Sequence, residues 1–87
     1  MANIKVSIIP KDKIAYQGEA EAVFVPTQTG IIEVLPEHMQ LVSALKRGEV
    51  TLKTKDGTNK IFKILDGVLE VRSKSDVIIL ADLEKEE

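Results

Sequence analysis

The run Glu49 to Thr54 reads Glu-Val-Thr-Leu-Lys-Thr, apolar and polar in strict alternation, and Lys-Asp-Gly-Thr follows it. Only an extended strand puts Val50 and Leu52 on one side and Glu49, Thr51 and Lys53 on the other. Asp56-Gly57 then predicts a tight hairpin, since both residues tolerate positive φ, and Lys60 to Leu65 is expected to pair back. The rest of the chain is written the same way. Asn3 to Ile9 stops at Pro10, Lys13 to Gln17 at Gly18, and Ala20 to Val25 at Pro26; a proline brings no N–H to a ladder. Asp66-Gly67 predicts a second tight turn, after which Val68 to Arg72 and Val77 to Leu80 complete the set. Leu41 to Lys46 fits a helical turn or a strand, and its neighbours favour the strand.

Strands recurring about every 8–12 residues predict an all-β fold, a small antiparallel β-sandwich of about 8–10 short strands. The 87 residues make one domain. The sandwich is expected at residues 1–82, with 83–87 a charged tail too short to form an element alone. Only three aromatics occur, Tyr16, Phe24 and Phe62, so the core falls to Val, Ile and Leu. Val77 to Leu80 is apolar throughout and is expected inside the sheet rather than at an edge.

Composition excludes several functions. The net charge is −2 and the basic residues form no block, against a phosphate-binding surface for nucleic acid. There is no cysteine, hence neither disulfide nor thiol chemistry. No run approaches the ~18 apolar residues of a membrane span, and the start of the chain lacks the apolar centre of a signal peptide. Membrane contact is therefore expected only through a partner. His38 is the single histidine, with Ser43, Glu33 and Glu37 near it in sequence, but no nucleophile elbow surrounds any serine. One histidine without cysteine makes no structural zinc site, and no calcium loop or glycine-rich phosphate loop is present. No catalytic residue, metal or cofactor is predicted. The residues by themselves describe a small β-domain that binds something, such as a ligand or peptide.

One stretch says more. Gly30 to Val50, "GIIEVLPEHMQLVSALKRGEV", followed by "FKILDGVLEV" and "VIILAD", resembles the epsilon subunit of the F-type ATP synthase, called delta in mitochondria. Gly30, Pro36, His38, Leu45, Gly48, Gly67, Leu69, Glu70, Val71, Val77, Leu80, Ala81 and Asp82 match that family's pattern in order and spacing, and the resemblance covers essentially the whole chain. Departures fall at Glu33, Glu37 and Asp66, where the family usually has glycine, at Gln40 and Arg47, where it usually has proline, and at Met39, where a small residue is common.

The resemblance implies a non-catalytic β-sandwich at the foot of the central stalk. It implies contact with the gamma subunit and with the c ring, helping couple proton-driven rotation to ATP synthesis, at the cytoplasmic side of the cell inner membrane. By position in the motif, the implied gamma-facing residues are Pro36, Glu37, His38, Met39, Gln40 and Val42, with Ile9 and Pro10 joining them. The implied ring-facing loop is Thr27, Gln28, Thr29, Gly30 and Ile31, assisted by Glu33. Family members typically continue into two regulatory helices, whereas this sequence ends five residues after Asp82. Neither inhibition of hydrolysis by a helical arm nor nucleotide binding is then expected of it.

Overall fold

In a computed structural model, which describes residues 4–10, 15–36, 40–72 and 76–83, the described residues form eight strands and no helix. They are β1 (Ile4–Ile9), β2 (Tyr16–Ala20), β3 (Ala22–Thr27), β4 (Gly30–Val34), β5 (Leu41–Leu45), β6 (Gly48–Lys53), β7 (Asn59–Val71) and β8 (Asp76–Leu83). The fold is the all-β sandwich expected. One layer runs β2-β1-β8-β7-β5, the other β4-β3-β6-β7. Every pairing is antiparallel except β1 with β8, which is parallel. Strands so far apart in sequence need no tight hairpin between them, so either direction is open to them.

β7 belongs to both layers. Residues 59–64 pair with β6, while residues 67–71 lie between β5 and β8. This corrects the expectation of a tight turn at Asp66-Gly67. The chain stays extended there, and a register slip against β8 between Ile64 and Gly67 bends it from one layer into the other. Glycine is required by the close approach of β8. A Cβ at position 67 would fall on the Leu80 carbonyl oxygen and lie 2.5 Å from the Ala81 Cβ.

Two further strand ends move for local reasons. β2 passes through Gly18 instead of stopping there, because the Tyr16 ring covers the place of its missing side chain; a Cβ would lie 2.6 Å from the phenol oxygen. β3 runs through Pro26, whose carbonyl accepts the Lys46 N–H at 3.0 Å and so contributes an acceptor where no donor is needed. The Asp56-Gly57 hairpin forms with a three-residue loop. Gly57 N–H donates to the Thr54 carbonyl and Thr54 N–H to the Thr58 carbonyl, each at 3.1 Å, and Gly57 takes φ +88°. The Asp56 carboxylate accepts the Thr54 hydroxyl at 2.6 Å and the Thr58 N–H at 3.0 Å. These bonds, that from Thr54 foremost, hold its pKa below the ordinary aspartate value.

The core between the layers is aliphatic, as expected. Ile4, Val6, Ile8, Val23, Leu52, Ile64, Leu69 and Ile79 are fully buried, whereas Tyr16 and Phe62 pack at its margin with ring centroids 5.2 Å apart. Burial of each such aliphatic side chain contributes roughly 1.5–3 kcal/mol.

Gly67→Ala should lower the unfolding free energy by about 3 kcal/mol, because β8 backbone rather than a flexible side chain must move. Denaturant titration checks this, and a loss under about 1 kcal/mol would mean that β8 gives way easily. For Asp56 the folded pKa is depressed, so its stabilising contribution is complete above the ordinary aspartate range. It is lost as pH falls through the lowered value. The stability difference between wild type and Asp56→Ala should therefore shrink from neutral pH into acid, read from denaturant midpoints.

Candidate functional site

The β3–β4 hairpin closes on the two residues Gln28-Thr29, both exposed. Its geometry is set from inside. Thr27 is 4% exposed, and its hydroxyl donates to the Gly30 carbonyl at 2.6 Å while accepting the Thr29 N–H at 3.3 Å. Thr27 also pairs with Leu45, the one bridge between β3 and β5. The tip is thus held from the side by the other layer. Beyond it, Ile31 is 73% exposed, and Glu33 stands opposite Phe24 on the outside of the β4-β3-β6-β7 layer.

A second surface is the outside of the β2-β1-β8-β7-β5 layer. Alternation buries Val6 and Ile8, Val77 and Ile79, and Leu69 and Val71. Their neighbours face out, and the register aligns them. Ile9 stands opposite Leu80, Leu80 opposite Val68, and Val68 opposite Ala44. The next rung is Ser7, Ile78, Glu70 and Val42. Val42 is 71% exposed, Leu80 46% and Val68 39%. An apolar rung therefore crosses four strands, with acids at its flanks. Glu70 on the second rung pairs with Arg72 at 3.4 Å, both solvent-exposed in part, a pair worth little in stability.

The predicted residues distribute over these surfaces. Thr27 to Ile31 and Glu33 come together in one hairpin, in which Thr27 is buried and supports the turn from within. Ile9 and Val42 share the outer face of the other layer. Pro10 follows Ile9 and is half-buried, and the exposed Gln40 precedes β5 beside Arg72. Pro36 lies two residues beyond β4, and the strand register does not join it to that face. Glu37, His38 and Met39 lie outside the described residues. Sequence reasoning missed Val68, Ile78 and Leu80 as surface residues. The signal was present in Val77 to Leu80: a run apolar at every position serves a core on one side and leaves apolar surface on the other. Among the described residues no three His, Asp or Glu side chains group as metal ligands.

Comparison with known proteins agrees with this architecture. The family model described as ATP synthase, Delta/Epsilon chain, beta-sandwich domain, matches residues 3–84. The ATP synthase epsilon chain of Ruthia magnifica subsp. Calyptogena magnifica is 37% identical, the match covering 94% of this chain and 62% of that one. That of Dichelobacter nodosus (strain VCS1703A) is 35% identical, with 90% and 54% covered. The chain thus spans a little over half the length of these curated relatives. Among solved structures, a chain of the Euglena gracilis mitochondrial ATP synthase (OSCP/F1/c-ring, rotational state 1) superposes with TM-score 0.87 at 23% identity, covering 93% of this chain and 51% of that one. A chain of the Tetrahymena thermophila mitochondrial ATP synthase central stalk and c ring does so with 0.75 at 12% identity, covering 91% and 63%. At these identities the two superpositions establish the fold.

Thr27→Val keeps the buried volume and removes the hydroxyl with all its bonds, to the Gly30 carbonyl, the Thr29 N–H and the Thr29 hydroxyl. It should cost about 1–2 kcal/mol and speed amide exchange at Thr29 more than in β6. Exchange at Thr29 equal to wild type would show that the hairpin tip does not depend on this side chain.

Proposed function

This chain belongs to the ATP synthase delta/epsilon chain β-sandwich family, and from that premise we propose that it works as a non-catalytic subunit of the central stalk of an F-type ATP synthase. In this reading the outer face of the β2-β1-β8-β7-β5 layer docks on gamma. The β3–β4 tip meets the polar loops of the c ring. The domain transmits torque between them and so helps couple proton-driven rotation of the ring to ATP synthesis at catalytic sites carried elsewhere. It is peripheral to the membrane, on the cytoplasmic side, and holds on only through the complex.

The observation that carries the proposal is the apolar rung of Ile9, Leu80 and Val68, with Val42 beside it. The core is already complete without these side chains, so their exposure has no explanation in the fold. Area is adequate. A typical partner covers ~800 Å², and the molecule exposes 5699 Å², so two partners fit on separate surfaces. What the role demands is stiffness and area, and a β-sandwich with a close-packed aliphatic core supplies both. The reading as a free-standing ligand-binding module is supported by no comparable feature.

Leu80→Glu puts a carboxylate in the middle of the rung. It should weaken binding to purified gamma at least about 10-fold while shifting the melting temperature by only a few degrees, since Leu80 is already 46% exposed. Ile61→Glu, on the outside of the other layer, should leave gamma binding unchanged. Wild-type protein that fails to co-purify with gamma, or Leu80→Glu that binds as wild type does, would remove this surface from the assignment.

A further inference from the structure

The chain contains two Asp-Gly pairs, Asp56-Gly57 and Asp66-Gly67, and both aspartates are exposed. An Asp-Gly pair is prone to rearrange, because glycine has no side chain to hinder its own amide nitrogen from reaching the aspartyl carboxyl. At the first pair the Gly57 nitrogen would attack Cγ of the protonated Asp56 carboxyl. An N–Cγ bond forms, the C–OH bond breaks, and the hydroxyl leaves with the amide proton as water. Water then opens the succinimide ring. Opening at Cγ restores aspartate, whereas opening at the former main-chain carbonyl carbon yields isoaspartate, with the chain running through the old side chain. No oxidant or cofactor takes part.

The fold withholds both reacting groups at Asp56. Its carboxylate accepts the Thr54 hydroxyl at 2.6 Å and the Thr58 N–H at 3.0 Å, bonds that favour the ionised form, whereas the reaction needs the neutral acid. The Gly57 N–H is spent on the Thr54 carbonyl at 3.1 Å. Thr54 thus holds the electrophile with its side chain and the nucleophile with its main chain. Gly67 is guarded differently. It is a ladder residue, paired with Leu45 on one side and Ala81 on the other, and its nitrogen cannot turn toward Asp66 while the layer is closed.

We propose that Asp56-Gly57 is a modification site, converting to isoaspartate through local opening of the β6–β7 hairpin, with Thr54 as the residue that keeps it closed. Asp66-Gly67 has the same chemistry inside a layer and converts only when the whole fold opens, a rarer event than the opening of a loop. Conversion at Asp56 adds one atom to the main chain of the loop and moves the carboxylate onto Cα. A converted chain therefore loses the contacts to Thr54 and Thr58 and holds β6 on β7 less firmly.

Wild type, Thr54→Val and Thr54→Ser are incubated folded in mildly acid buffer, and wild type also in concentrated urea. Tryptic peptides 56–60 and 64–72 separate the two pairs, and mass spectrometry with isoaspartate-specific fragmentation reads each. In urea both pairs should convert at similar rates. Folding should slow conversion at Asp56 at least about 10-fold and at Asp66 further still. Thr54→Val should recover most of the lost rate at Asp56 and leave Asp66 protected, while Thr54→Ser, which keeps the hydroxyl, should behave as wild type. Folded wild type that converts at Asp56 as fast as in urea overturns the gate. Thr54→Val that converts at Asp56 no faster than wild type, or at both pairs equally, overturns the role of Thr54 as a local latch.

Discussion

At position 67 the backbone of β8 occupies the space that any side chain would need. The architecture depends on that contact. It lets β7 slip register and bend between Ile64 and Gly67, so that one strand of 13 residues serves two layers. Before the bend, β7 supports β6 and through it β3 and the hairpin. After the bend it lies between β5 and β8 and carries Val68 into the outer rung. The two candidate docking surfaces are therefore tied through one continuous strand, the broad face directly and the hairpin by way of β6 and β3. Neither can shift independently without disturbing a fully packed contact.

The partition of surface from core follows from the strand period. Each strand gives alternate residues to the interior, and the number of aliphatic residues exceeds what the interior takes. The surplus is not scattered. Register brings Ile9, Leu80, Val68 and Ala44 into line, while the hairpin end collects Gln28 and Thr29 with Lys46 and Arg47 nearby. One surface is apolar and broad, the other polar and narrow.

Strand content, the aliphatic core and the placement of β8 inside its layer were legible in the sequence, because alternation and β-branched runs report burial directly. Strand ends were less legible. Proline and glycine were read as stops at Gly18, Pro26 and Gly67, yet each sits inside a strand for a tertiary reason: a ring lying over it, an acceptor needed by another strand, a neighbouring backbone too close for a side chain. Local sequence does not carry such contacts. Of the site, the hairpin emerged as a unit. The broad face did not, since Leu80 reads the same whether its neighbour is core or solvent, and only the register with Val68 and Ile9 decides which.

The parallel pairing of β1 with β8 has a consequence for how the domain comes into being. Ile9 finds Leu80 only after every other strand lies between them along the chain. Closing so long a loop gives little back until the final strand is in place, which slows folding. During synthesis, β1 and β2 can form a hairpin early, but one edge of β1 stays open until β8 leaves the ribosome. An open aliphatic edge is a site for mispairing. The same strand that completes the layer also brings the apolar rung together, so that face exists only on a chain whose folding is finished.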